Sequence, residues 1–426
     1  MKNPFSSRTP AYHLKAIHNT IQRALKSAGL VTRAGPMHNM SDTIRRALAS
    51  SGLPGSNKST PVREPVIDVE TRIVDSGEEK IPPVRESVYK DAEVPVTFEK
   101  RHFHSEQGAR SYKFYVPQRS SDVSAAMVVM LHGCTQSADD FAAGTRMNQL
   151  AEEHGFLVVY PEQSAQANLS KCWNWFMSQD QARDTGEPAV IAGIVRDVAA
   201  RHGVDMRRIF VAGLSAGAAM AVILGETYPE LFAAVGAHSG LPYASAHDIP
   251  SAMAAMKGGR SGLRGTTAGA GAAGASGKKA AHAKPIIVFH GDRDHTVQQG
   301  NGAEIVRQAM DAYRSSMGAD GLLTSTQQAS APGGRSYSRT IHADAKGRSQ
   351  IESWTVHGAG HAWSGGDAAG SYTDHTGPDA SAAMVRFFLA LDLPRMTYST
   401  AEAEAAFMGY ARCAGRTKTS TARGAR

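Results

Sequence analysis

Gly213-Leu214-Ser215-Ala216-Gly217 is the segment of this 426-residue chain whose residue types and spacing best suit chemistry. An apolar run at 208–212 precedes it, and the helix-forming stretch Ala218-Ala219-Met220 follows. A sharp strand-to-helix turn of this kind lifts the serine hydroxyl clear of a sheet. Small flanking residues let neighbouring backbone approach, and glycine tolerates the strain. A hydroxyl presented in this way suits attack on an acyl carbon. Serine at neutral pH is a poor nucleophile, so a base must take its proton and an acid must orient that base.

On such an elbow the partners follow the serine in the order acid, then histidine. An apolar run at 285–290 leads into Gly291-Asp292-Arg293-Asp294-His295-Thr296-Val297, which puts two carboxylates in a loop at a strand end. Another run at 351–357 leads into Gly358-Ala359-Gly360-His361-Ala362-Trp363. Of 17 histidines, His361 stands where the base is expected, whereas His132, His238, His290 and His357 lie in strands or at their ends and read as structural. Asp292 and Asp294 both remain candidates for the acid. The developing oxyanion needs backbone donors, expected from the N–H of Ala216 and, in Leu131-His132-Gly133-Cys134-Thr135-Gln136, from the N–H of Cys134.

These loops require a scaffold. Apolar runs at 110–117, 127–132, 155–161, 208–212, 233–237, 285–290 and 351–357 read as strands, several too continuously apolar to face water on either side. Helical stretches at 139–154, 188–202, Ala216–Thr227, 303–317 and 380–391 alternate with them. In the second, Ile191, Ile194, Val195 and Val198 form one apolar stripe. Alternating strand and helix predict an α/β architecture, a doubly wound, mostly parallel sheet with helices on both faces.

Composition is that of a globular protein, with 42% hydrophobic and 20% charged residues, and three cysteines exclude a disulfide-built scaffold. The net charge of +7 sits on the ends: residues 1–60 hold nine Lys or Arg against Asp42 alone, and five more basic residues lie between Arg412 and Arg426. Thr20–Leu30 recurs as Thr43–Leu53, a short amphipathic helix stopped by glycine in each copy. The expected organisation is a basic arm with these two helical repeats (1–60), a linker (61–96), a catalytic domain (97–395) and a basic tail (396–426). Within the domain, 257–284 is almost wholly Gly, Ala, Ser, Thr and basic residues and reads as a flexible insertion. Neither a secretory leader nor an apolar run long enough for a membrane span is recognised, so a cytoplasmic location is expected, with secretion the alternative. Nucleic acid is not an expected partner.

The segments LHGCTQ (131–136), VVYPEQ (158–163), CWNWF (172–176), GLSAGAAM (213–220), HGDRDHTV (290–297), GAGHAWSGG (358–366) and GSYTDHTGPDAS (370–381) together resemble the poly(3-hydroxybutyrate) depolymerase family of esterases, which includes feruloyl and acetylxylan esterases. The resemblance implies an α/β-hydrolase without metal or organic cofactor. It also implies that the acid is the aspartate of a D-x-x-V pattern, here Asp294 with Val297. The expected activity is hydrolysis of a carboxylic ester through an acyl-enzyme, with polyhydroxybutyrate or a hydroxyalkanoate oligomer as substrate. A feruloyl or acetylxylan-type esterase is the alternative, and a peptidase or a non-catalytic binding protein on the same fold ranks lower.

Secreted polymer-degrading members carry a leader and a polymer-binding domain after the catalytic one. Neither is recognised here, so amorphous polymer, oligomers or small acyl esters are the expected substrates. Docking on a granule or anionic surface then falls to residues 1–60. Trp173, Trp175 and Phe176 are candidates to floor the acyl site, with core packing of at least one Trp equally expected. Cys134 and Cys172 should lie close together. Either a disulfide joins them or, as is usual in a reducing cytoplasm, they are free thiols. Cys413 should be free.

Overall fold

The computed structural model describes residues 97–118, 125–258, 283–317 and 321–391. The arm, the linker, the tail and most of the 257–284 insertion therefore lie outside the described residues. Ten strands form one sheet: β1 (Thr97–Ser105), β2 (Gly108–Val116), β3 (Ala125–Leu131), β4 (Leu157–Glu162), β5 (Val204–Leu214), β6 (Ala234–His238), β7 (Ile286–Gly291), β8 (Leu323–Ser330), β9 (Ser336–Ala343) and β10 (Ser349–Val356). Their order is β1-β2-β4-β3-β5-β6-β7-β10-β9-β8. The six central strands, β4 to β10 in that order, run parallel, and an antiparallel pair is added at each margin.

The sequence explains the centre directly. Ala-Ala-Met-Val-Val-Met-Leu of β3 is buried at every position, as a strand covered on both faces must be. Helices α1 (Ala138–Thr145), α2 (Met147–His154), α3 (Gly186–His202), α4 (Ala216–Thr227), α5 (Ile249–Met256), α6 (Gly300–Met317) and α7 (Ala380–Leu389) complete the α/β fold. The stripe of α3 is inside: Ile191, Ile194, Val195 and Val198 are all fully buried. Each such side chain contributes roughly 1.5–3 kcal/mol relative to exposure.

Two expectations need correction. The stretch 139–154 is two helices, because Arg146 adopts a left-handed conformation (φ 53°) that ends α1 and starts α2. Arg146 is held there by ion pairing to Asp379 at 2.8 Å and by a bond to the Gly365 carbonyl at 2.9 Å. Strands β1, β8 and β9 were also unforeseen. The polar, largely exposed Leu-Thr-Ser-Thr-Gln-Gln-Ala-Ser of β8 carries no apolar alternation, and only its ladder to β9 makes it a strand.

The marginal strands are tied in by charge. Glu352 of β10 is fully buried and accepts from Arg339 of β9 at 3.0 Å and from Arg386 of α7 at 2.7 Å. Burial favours its neutral form, but the two guanidiniums outweigh that and hold its carboxyl below the usual range.

Register places the site. Leu214, His238, Phe289 and Trp354 form one row across β5, β6, β7 and β10. The residues that follow each of them emerge at the carboxyl edge of the sheet, where open α/β sheets place their ligands.

Candidate active site

Ser215 stands between β5 and α4 with φ 57° and ψ −119°, a conformation costing about 1–3 kcal/mol in a non-glycine residue. Close packing holds it there. A Cβ on Gly217 would lie 2.0 Å from the Leu131 carbonyl oxygen, and one on Gly213 would lie 2.4 Å from the Gly217 carbonyl carbon, so neither glycine can be replaced without moving backbone. Ser215 donates its N–H to the His238 carbonyl at 2.9 Å, which ties the elbow to β6.

The β7 and β10 loops are joined by backbone bonds: Asp292 N–H to Val356 O at 3.2 Å and Arg293 N–H to Ala359 O at 3.0 Å. Asp294, buried at 2% exposure, extends Oδ2 to His361 Nδ1 at 2.7 Å. Its Oδ1 accepts the amides of Thr296 and Val297, each at 2.9 Å. Burial would raise this carboxyl, but hydrogen bonds from His290 and His361 prevail and hold it well below the usual carboxylate range. Since an ionised carboxylate only accepts, Nδ1 of His361 carries hydrogen, leaving Nε2 as the basic nitrogen.

Asp292 is engaged elsewhere. It accepts from His357 Nδ1 at 3.0 Å and from the Gly358 N–H at 2.7 Å, bracing the two loops. The geometry thus pairs His361 with Asp294 and not with Asp292.

Three of the strand-end histidines read as structural make bonds that fix the frame. His132 accepts from the Gln163 N–H through Nε2 at 3.0 Å and donates through Nδ1 to Gly133 O at 2.7 Å. His238, fully buried, accepts the Ser364 N–H at 2.9 Å and stacks between Phe289 and Trp363. Burial first, then the neighbouring imidazoles of His290 and His361, push His238 down to about 3, so it stays neutral beneath the serine. His290 lies closer to the chemistry than a strand residue need be: its Nε2 bonds Val297 O at 2.8 Å and lies 3.5 Å from Asp294 Oδ2.

In the β3 loop, Gly133 gives its N–H to Gln136 Oε1 at 2.9 Å and Thr135 gives its own to Ser170 O at 2.7 Å. Between these engaged amides stands Cys134, whose sulfur is bonded to Cys172. The pair is thus a disulfide and not two free thiols. Ala216 is the first residue of α4, where the opening N–H groups of a helix lack intrahelical partners.

The aromatic segment after Cys172 is mostly interior. Trp173 is fully buried against His132 and Trp175 is 5% exposed, whereas Phe176 is only partly buried. Of the three candidates, Phe176 keeps accessible surface. Sequence reasoning gave no role to Glu187, whose carboxylate accepts from Asn174 N at 2.7 Å, from Arg110 at 3.1 Å and from Gln163, steadying the disulfide segment. Tyr372 was also missed. Its hydroxyl lies 3.2 Å from Thr135 Oγ1, joining the 370–381 segment to the β3 loop, and no local pattern in either segment signals the contact. Among the described residues no three His, Cys, Asp or Glu side chains cluster as ligands for a metal ion, and no helix is long and apolar enough to cross a membrane.

Over 240 residues the chain is 34% identical to poly(3-hydroxyalkanoate) depolymerase C of Paucimonas lemoignei, covering 56% of this chain and 55% of that protein. Over 265 residues it is 29% identical to a poly(3-hydroxybutyrate) depolymerase of Ralstonia pickettii, covering 59% and 51%. The chain thus spans about half the length of these relatives. The acetyl xylan esterase from Aspergillus awamori superposes with a TM-score of 0.50 at 20% identity, covering 69% of this chain and 100% of that one, a likeness of fold. The family model for the esterase PHB depolymerases matches residues 110–323, and the chain belongs to that family.

Proposed function

We propose that this protein is a serine-dependent carboxylic-ester hydrolase acting on polyhydroxybutyrate or hydroxyalkanoate oligomers. The observation that carries the reading is the His361–Asp294 pair, held at the same sheet edge as the strained Ser215 elbow. Ser215 Oγ attacks the ester carbonyl as His361 Nε2 takes its proton, and Asp294 stabilises the imidazolium. The amides of Ala216 and Cys134 receive the oxyanion. His361 then returns the proton to the departing alkoxide, and water, deprotonated by the same nitrogen, releases the acid and regenerates Ser215. Phe176 contributes apolar surface to the acyl site. The depolymerase relatives support the polyester substrate class.

The Cys134–Cys172 bond favours an oxidising compartment over the cytoplasm expected from the sequence. Residues 1–60, with their basic amphipathic repeats, are proposed to dock the enzyme on insoluble polyester. Removing them should lower co-sedimentation with polymer while leaving soluble-ester turnover unchanged.

The central test is Ser215→Ala, which should lose labelling by a serine-directed phosphonate and lower turnover of a hydroxybutyrate oligomer by on the order of 10³-fold or more. Near wild-type turnover in a folded Ser215→Ala protein would overturn the reading.

A further inference from the structure

A cavity of about 280 Å³ lies between the β1–β2 hairpin and the 162–171 segment. Lys100, His102 and His104 of β1, Arg110 of β2 and Lys171 give it five basic side chains. Residues 100, 102 and 104 alternate onto one face of β1, and Arg110, the register partner of Phe103, lines the cavity from the opposite face. Register places His102, Ser111 and Glu162 in one row across β1, β2 and β4.

The charges do not cancel. Glu162 of the lining lies 3.5 Å from Lys171, and Glu187, outside the lining, lies 3.1 Å from Arg110, so two carboxylates are set against the three fixed cations Lys100, Arg110 and Lys171. Among these fixed charges, one positive charge is left over. Arg110 also has an unused donor: its Nε is buried and has no hydrogen-bond partner. A buried donor left unpaired is costly, and an arriving acceptor would relieve it. Phe103, Ala109 and Ala165 add apolar wall suited to a short carbon chain.

The cavity wall is also bonded to the frame of the site. Gln163 lines it, donates its backbone N–H to His132 at 3.0 Å and donates Nε2–H to the Cys172 carbonyl at 3.0 Å. Its wall is thus bonded to the strand end that leads into the Cys134 loop and to the disulfide segment.

We propose that this cavity binds a small organic monocarboxylate; that the ligand is the hydroxy acid released by ester hydrolysis rests on the function proposed above. One surplus charge matches a monoanion better than a dianionic phosphate, and the apolar wall has no use in binding an inorganic ion.

Equilibrium titration of the full chain with sodium 3-hydroxybutyrate and, separately, inorganic phosphate at matched ionic strength tests this. Wild type should bind one 3-hydroxybutyrate saturably and phosphate at least tenfold more weakly. Lys100→Gln and Lys171→Gln, checked for an unchanged thermal midpoint, should each weaken the carboxylate roughly tenfold through loss of a charge-assisted contact. Absence of saturable binding, wild-type affinity in both variants, or tighter binding of phosphate would overturn the proposal. Binding requires no turnover, so a protein that binds the acid without hydrolysing esters would refute the hydrolase reading and leave this site standing.

Discussion

His361 Nδ1 and Asp294 Oδ2 lie 2.7 Å apart, although their residues are 67 positions apart in the chain. Asp292, two residues from Asp294, is occupied by His357. Asp294→Asn should therefore lower kcat by on the order of 10⁴-fold, because an amide no longer fixes the imidazole tautomer or stabilises its charge. Asp292→Asn should cost far less, through looser packing of the two loops. Steady-state kinetics on both variants decide the matter, and the reverse ranking would mean that Asp292 is the orienting acid.

The disulfide closes a sequence separation of 38 residues. Loop-closure entropy for that length predicts a loss of about 4 kcal/mol when it is opened. Urea denaturation of the Cys134→Ser, Cys172→Ser double variant should show a loss of that order. Thiol titration of the unfolded, unreduced wild type should find one reactive cysteine in three.

Glu352 pairs with two arginines inside the fold. Glu352→Gln strands Arg339 and Arg386 without a counter-charge and should destabilise by roughly 3–5 kcal/mol. The carboxyl is depressed in the folded state, so its contribution is present above the unfolded carboxylate range and lost as pH falls through the folded value. Wild type should lose stability on acidification that the variant, lacking the group, does not.

Asp180 behaves in the opposite sense. Burial pushes its carboxyl up to about 6, the Glu187 amide it accepts at 2.7 Å opposes this, and the Glu187 charge adds to it. A raised folded value means that the neutral form is favoured in the folded protein. Stability should therefore decline as pH rises from about 4 to about 6. Asp180→Asn should flatten that part of the profile; a thermal midpoint with the same slope in both proteins would exclude Asp180 as its source.

Features that depend on local contacts could be read from the residues alone. The elbow was legible because glycine at 213 and 217 is demanded by backbone within a few ångströms, and the parallel centre because strands covered on both faces must be apolar throughout. The position of His361 in a loop after a strand was legible because glycines follow the apolar run at 351–357. The choice between Asp292 and Asp294 could not be read from the residues alone, since both sit in one loop and only the fold turns one toward His361 and the other toward His357. Tertiary structure likewise decided that Trp173 is interior, that Cys134 and Cys172 are bonded, and that a polar segment at Leu323–Ser330 is a strand. Each of these depends on which distant segment supplies the partner, and single-residue preferences carry no record of that partner's position.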